Sequence, residues 1–223
     1  MRTLIVEDQR MFRDLLAKMC EGQFRHERVT AVGTGAAGAD AMRTGRFDLL
    51  ILDIDLPDRD GFSLADEAAT LQPPPRVLGM SGYCDEFMVH RVMNSSMHGF
   101  IDKTDQSVET LSLAIKSVCA GNYFFSDVVH RTRVALRKDP RAFPKLLTDR
   151  ECEMLALLGQ GLTNEQAGER LGISPTTVQW HRKQLMRKLD IHSAVELVVY
   201  AADKGFARLG SARPQGAPQD GRG

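Results

Sequence analysis

The first part of this chain predicts an α/β fold, a five-stranded doubly wound parallel sheet, and the second part predicts a small all-α domain of four short helices. Three observations lead there. Short aliphatic runs alternate with stretches of helical spacing as far as Gly121, the alternation stops at that glycine, and from Leu147 helix start signals recur without a strand pattern. At 223 residues and 43% hydrophobic content the chain is long enough for two cores of ordinary size.

The strands read, in order, as Leu4-Ile5-Val6, Val29 to Val32, Leu49 to Leu52, Val77 to Met80 and Phe100-Ile101. Between them Met11 to Met19 and Val108 to Ala120 carry helical spacing, and clusters such as Pro73-Pro74-Pro75 punctuate the joins. Residues 1–121 form the α/β domain. A polar, Arg-rich stretch broken by Pro140 and Pro144 reads as a linker over 122–145, with no strand in it. In the helical domain, 146–205, Thr148 precedes Asp149 and Glu151, Thr163 precedes Glu165, and Ser174 precedes Pro175, each a helix N-terminus signature. The remainder, 206–223, is rich in Gly, Pro, Gln and Arg and is expected to be disordered.

No run of about 18 apolar residues is available to span a bilayer, and Met-Arg-Thr-Leu-Ile-Val-Glu-Asp turns acidic too early for a signal peptide. A cytoplasmic protein with no membrane partner is expected. Cys20, Cys84, Cys119 and Cys152 contain no C-x-x-C pair, so they read as reduced packing residues, not as a zinc site or a disulfide framework. The net charge of zero conceals an asymmetry: residues 1–125 carry 13 Lys+Arg against 18 Asp+Glu, and residues 126–223 carry 16 against 11. A basic second part points, weakly, to nucleic acid.

In a doubly wound sheet the ligand crevice lies beyond the carboxyl ends of the strands, and the charged residues fall there. Glu7 and Asp8 follow strand one, Asp53 strand three, Ser81 strand four and Lys103 strand five. Clustered carboxylates repel one another without a cation, and an all-oxygen set suits Mg²⁺. With Asp53 as nucleophile, such a pocket implies phosphoryl chemistry, the phosphoryl oxygens being held by metal, the Lys103 ammonium and the Ser81 hydroxyl.

Ile-Val-Glu-Asp at 5–8, Leu-Asp53-Ile-Asp-Leu-Pro57 with Gly61, Met-Ser81-Gly and Gly99-Phe100-Ile-Asp-Lys103 together resemble the receiver domain of two-component response regulators, a flavodoxin-like fold. The resemblance covers roughly residues 1–121. It implies that Asp53 accepts phosphate from a histidine kinase, that Glu7, Asp8, Asp53 and the Asp55 backbone carbonyl hold Mg²⁺, and that Ser81 swings toward the phosphate as the switch aromatic, Phe100, turns inward. Asp102 and Gly79 depart from the family pattern, the first charged and the second small at positions where an apolar strand residue would pack better. Asp55 places an extra negative charge beside the phosphate.

A helical wheel over Pro175 to Asp190 brings Val178, Leu185 and Leu189 within about 20° of one another as a buried stripe and leaves Gln179, Trp180, Lys183 and Arg187 facing outward. An exposed Trp beside Gln, Lys and Arg suits a major groove better than water: Gln and Lys reach base edges, Trp lies on thymine methyls or sugars, and Arg clamps phosphate. Thr176, Thr177 and Lys188 complete the expected DNA-contacting set. Leu147-Thr-Asp-Arg-Glu-Cys-Glu-Met-Leu, Gly161-Leu-Thr-Asn-Glu and Gly172-Ile-Ser-Pro-Thr-Thr-Val-Gln-Trp resemble the LuxR-type helix-turn-helix. By that resemblance Thr163 to Leu171 supports, Ser174 to Leu189 recognises DNA, and Ser193 to Asp203 dimerises. Ala167-Gly168 departs from the pattern, since glycine mid-helix costs up to about 1 kcal/mol but permits close crossing.

The two resemblances together place the chain in the NarL/FixJ class, a non-enzymatic, DNA-binding, dimeric regulator phosphorylated by a histidine kinase. Two other functions fit less of the sequence. Asp53-Ile-Asp55 resembles the start of haloacid dehalogenase-type phosphatases, which carry that motif on their first strand instead of the third. A regulator whose receiver is only a phosphate-independent dimerisation module would leave the acidic cluster without a role.

Overall fold

The computed structural model describes residues 1–104 and 107–207. The chain divides into two compact units, the first built from residues 1–84 and 88–134 and the second from residues 85–87 together with the chain from Ala135 on.

In the first unit β1 (Arg2–Val6), β2 (Arg28–Val32), β3 (Leu49–Asp53), β4 (Arg76–Ser81), β5 (Gly99–Asp102) and β6 (Phe124–Phe125) form one sheet in the order β2-β1-β3-β4-β5-β6. Every pairing is parallel, with Leu4 opposite Leu50 and Leu50 opposite Val77. The continuous aliphatic run of β3 is buried along its whole length, as a strand covered on both faces must be. Strand alternation sorts the side chains. Leu4, Val6, Leu50, Leu52, Val77 and Phe100 pack against α2 (Gly35–Thr44), α3 (Gly61–Ala69) and α4 (Glu86–Met93). Ile5, Leu49, Ile51, Leu78, Met80 and Ile101 face the opposite way, against α1 (Arg10–Lys18), the π-helical turn Met19–Gln23 and α5 (Val108–Cys119). From β1 the chain goes first outward to β2 and then across to β3, so the connections part above β1 and β3 and open a crevice there.

Two expectations about the later chain need correction. The stretch 122–145 is not a structureless linker: it holds β6, α6 (Asp127–Lys138) and the single turn α7 (Phe143–Leu146). The sixth strand is two residues long, below any periodicity test, and α6 buries only Val129 fully, so its arginines hide a narrow apolar face. The tail also starts later than expected. Gly205 at φ 81 ends the last helix, the Phe206 amide donates to the Ala201 carbonyl at 2.7 Å, and Phe206 and Ala207 are buried. The rest of the expected disordered tail, 208–223, lies outside the described residues.

The second unit is helical: α8 (Asp149–Gly159), α9 (Asn164–Leu171), α10 (Pro175–Leu189) and α11 (Ala194–Asp203) follow α7. Each of these four begins at a hydroxyl cap. Thr148 and Thr163 form capping boxes with Glu151 and Gln166, and Ser174 and Ser193 accept from the Thr177 and Glu196 amides. Phe143, Leu155, Leu158, Val178, Leu185 and Leu197 meet in the core. Between α9 and α10 the chain turns through Gly172 at φ 68, and the Ile173 amide donates back to the Gly168 carbonyl at 3.0 Å. That turn is why Gly168 is a glycine: a methyl group there would lie 2.7 Å from the Ile173 carbonyl oxygen.

Gly168→Ala sets two effects against each other. Alanine favours a helix interior by about 1 kcal/mol, while forcing a methyl against rigid backbone costs typically about 1–3 kcal/mol. The clash should win, so the thermal transition followed by Trp180 fluorescence is expected to fall by several degrees. An unchanged or raised midpoint would mean that the turn yields freely.

Candidate functional site

Glu7 and Asp8 leave β1, Asp53 ends β3, Ser81 ends β4 and Lys103 follows β5, so the parallel register delivers five polar groups to one rim. Carboxylate oxygens of Glu7, Asp8 and Asp53 lie within 4.8 Å of one another. The crevice has a volume of about 550 Å³ and is lined by Asp8, Phe12, Asp53, Asp55, Tyr83 and Lys103 among others. The Lys103 ammonium sits 2.7 Å from Glu7 Oε2 and 2.9 Å from Asp53 Oδ2. Glu7 and Asp53 are buried and Asp8 is exposed.

Burial pushes the Glu7 carboxyl up to about 7, with the Asp53 charge adding to it and Lys103 opposing. Burial likewise raises Asp53 against the lowering pull of Lys103. Burial alone would lower Lys103, but its bonds to Glu7 and Asp53 hold it above the ordinary lysine value. One ammonium therefore answers the two buried acids Glu7 and Asp53 together. An oxygen-only set short of positive charge has the chemistry of a hard divalent cation site.

Ser81 and Phe100, the residues expected from the resemblance to act as a switch, are held in different ways. The Ser81 hydroxyl donates to Asp55 Oδ2 at 2.5 Å and accepts from the Tyr83 amide at 2.9 Å. The Asp55 amide in turn donates to Asp53 Oδ1 at 2.9 Å. Phe100 is fully buried. Gly79 beneath it has a structural cause, because a methyl there would lie 2.6 Å from Met97 Sδ and 3.2 Å from Phe100 Cδ2. Asp102, the other unusual strand residue, accepts from the Thr104 amide at 2.8 Å and its hydroxyl at 2.6 Å, which tightens the backbone on either side of Lys103.

Sequence reasoning missed Arg13. Its guanidinium donates to the Glu7 carbonyl at 2.6 Å and reaches the Asp8 carbonyl at 3.2 Å, pinning the turn that carries both acids. Its place one turn into α1 gave no periodic signal, since a half-buried arginine looks like any helix-surface charge.

On α10, Gln179, Trp180, Lys183, Arg187 and Lys188 are exposed, as is Thr176, while Val178 and Leu185 are fully buried and Leu189 partly so. Trp180 leaves 57% of its surface to solvent. Thr177 is half-buried beside the capping Ser174, hydroxyl to hydroxyl at 2.8 Å. Arg187 bonds Gln184 on its own helix. Lys188 differs from its neighbours: its ammonium pairs with Glu151, the capping-box acid of α8, at 2.7 Å. On α11, Val195 and Val199 stand exposed one turn apart.

Two family models match the chain: "Response regulator receiver domain" over residues 3–115 and "Bacterial regulatory proteins, luxR family" over residues 145–201. The sequence is 32% identical over 164 residues to the Fimbriae Z protein of Salmonella typhimurium, covering 72% of this chain and 76% of that protein. It is 26% identical over 203 residues to the response regulator protein VraR of Staphylococcus epidermidis, covering 90% and 95%. In fold it is similar to the two-component response regulator RcsB in complex with DNA, with a TM-score of 0.58, 20% identity and coverage of 91% and 98%. RcsB from Salmonella enterica serovar Typhimurium bound to promoter rprA with the phosphomimetic BeF3⁻ gives a TM-score of 0.64 at 19% identity, covering 90% and 97%.

If Arg13 holds the acidic turn, Arg13→Ala should free the Asp8 and Gln9 amides more than the rest of the sheet. Hydrogen exchange at those two amides is expected to accelerate about tenfold, in line with the loss of a hydrogen bond to a charged group. Equal acceleration across β1 would instead mark a general loss of stability.

Proposed function

The chain belongs to the response regulators that join a receiver domain to a luxR-family regulatory domain, and from that membership we propose that it takes a phosphoryl group on Asp53 and regulates transcription by binding DNA as a homodimer. The observation that carries the proposal is Asp53 itself, a buried carboxylate at the crevice of the sheet, 2.9 Å from the Lys103 ammonium and clustered with Glu7 and Asp8. In the transfer, an Asp53 oxygen attacks phosphorus, the O–P bond forms as the P–N bond to a kinase histidine breaks, and the leaving imidazole takes a proton from solvent. Lys103 holds one phosphoryl oxygen and Ser81 would hold another once its hydroxyl turns. Glu7, Asp8, Asp53 and the Asp55 backbone carbonyl are the residues to hold Mg²⁺, which when bound neutralises phosphoryl charge. Phe100 serves as the aromatic partner of Ser81.

In the second unit, Gln179, Trp180 and Lys183 read base edges and Arg187, with Thr176 and Thr177 at the start of the helix, anchors phosphates. The exposed pair Val195 and Val199 on α11 suits an apolar contact with a second copy, which would give avidity for a two-fold related site. DNA binding would place the protein with the chromosome, in the cytoplasm, and among the described residues no helix is long and apolar enough to cross a membrane.

Incubation with a small phosphodonor and Mg²⁺ is expected to add one phosphoryl group by intact mass, and Asp53→Asn to abolish it. Phosphorylation at the wild-type rate in that variant would refute the assignment. The ion pair to Glu151 also separates two lysines. Lys183→Ala should relax DNA sequence preference, at about 1–3 kcal/mol for a lost base contact. Lys188→Ala should chiefly lower the stability of the helical unit. Matched titrations on target and scrambled DNA, beside thermal melts, decide this; equal losses of specificity would overturn it.

A further inference from the structure

We propose that the Asp55 carboxylate is a latch on the Ser81 hydroxyl, competing with a phosphoryl group on Asp53 for its single proton and thereby setting how readily the receiver completes its switch. The proposal rests on the reading of Asp53 as phosphoacceptor. A serine hydroxyl has one hydrogen to give. Here that hydrogen goes to Asp55 Oδ2 at 2.5 Å, while the Tyr83 amide occupies the oxygen at 2.9 Å. Ser81 is fully buried, so water offers no second partner of comparable strength. Asp55 cannot simply drift away with the hydroxyl either, because its amide is fixed to Asp53 Oδ1 at 2.9 Å. For Ser81 to donate to a phosphoryl oxygen, the bond to Asp55 must break first.

The state of Phe100 sharpens the point. If Ser81 and Phe100 move as partners, the ring is already in place, fully buried over Gly79 and against Met97. The space left by Gly79 lets the aromatic settle without waiting for the hydroxyl. What remains to be done on phosphorylation is the transfer of one hydrogen bond, from a carboxylate to a phosphoryl oxygen. Both acceptors are anionic and both bonds are charge-assisted, so the exchange is finely balanced and the carboxylate acts as a brake.

A second explanation for any effect of Asp55 is plain repulsion between its charge and the phosphoryl group, which needs no Ser81. A mutant cycle separates the two. The full chain would be titrated calorimetrically with beryllofluoride, a phosphoryl analogue, at saturating Mg²⁺, as wild type, Asp55→Ala, Asp55→Asn, Ser81→Ala and the Asp55→Ala/Ser81→Ala double variant. We expect Asp55→Ala to tighten binding about tenfold and Asp55→Asn, which keeps a neutral acceptor, to tighten it less. In the Ser81→Ala background the effect of Asp55→Ala should shrink to about twofold or less. An equal effect in both backgrounds would assign it to charge repulsion and overturn the latch, as would unchanged or weaker binding by Asp55→Ala. A wild-type protein that bound no beryllofluoride would overturn the phosphoacceptor reading itself, and the latch with it.

Discussion

The ammonium of Lys103, held 2.7 Å from Glu7 and 2.9 Å from Asp53, is the interaction on which the first unit turns. Two carboxylates buried at the ends of adjacent strands would each carry a desolvation penalty of several kcal/mol, and their mutual repulsion would add to it. One shared counter-charge makes the arrangement tolerable without satisfying it, which is why the Glu7 carboxyl remains pushed up to about 7. The surrounding backbone serves that balance. Asp102 and Thr104 brace the two sides of Lys103, and Arg13 ties down the carbonyls of Glu7 and Asp8. Under the proposed function, a divalent cation and a phosphoryl group would each bring to such a site the charge that the other requires.

Most of this was legible in the sequence because parallel sheets write themselves plainly. Four of the five aliphatic runs, each followed by a polar residue, sufficed to gather Glu7, Asp8, Asp53, Ser81 and Lys103 at one end of the sheet, and the parallel register brings those strand ends side by side. In the second unit the hydroxyl caps Thr148, Thr163 and Ser174 marked three helix starts, while the start of the last helix at Ser193 came from the family resemblance. What the sequence concealed was of two kinds. β6 and α6 bury too little apolar surface to show a period, two residues in the strand and one fully buried side chain in the helix. Arg13, the Ser81–Asp55 bond and the Lys188–Glu151 pair depend on which rotamer a polar side chain adopts in three dimensions, and spacing along the chain carries no such information.

The same contrast explains the two residues that looked out of place. Gly79 and Gly168 each break a local rule, a strand glycine and a mid-helix glycine, and each stands where a Cβ would collide with something the fold needs. In one case that is the Met97 and Phe100 side chains packed against the sheet, in the other the Ile173 carbonyl in the turn between α9 and α10. Local propensity was overruled at both places by close approach, and both places adjoin a functional element.

The polar groups of the receiver site divide by how firmly they are held. Glu7, Asp53 and Lys103 are locked by burial and by one another, so under the proposed function a phosphoryl group on Asp53 would meet a fixed cation. Ser81 is held through one hydroxyl rotor that donates to Asp55 and accepts from the Tyr83 amide. A population shift needs a pair of arrangements separated by only a few kcal/mol, and one exchanged charge-assisted hydrogen bond is of that size. Rearranging the locked triad would cost far more and would dismantle the site. Under the proposed function, the adjustable step would fall to the one hydroxyl at the end of β4 and the chemistry to the triad that is held from all sides.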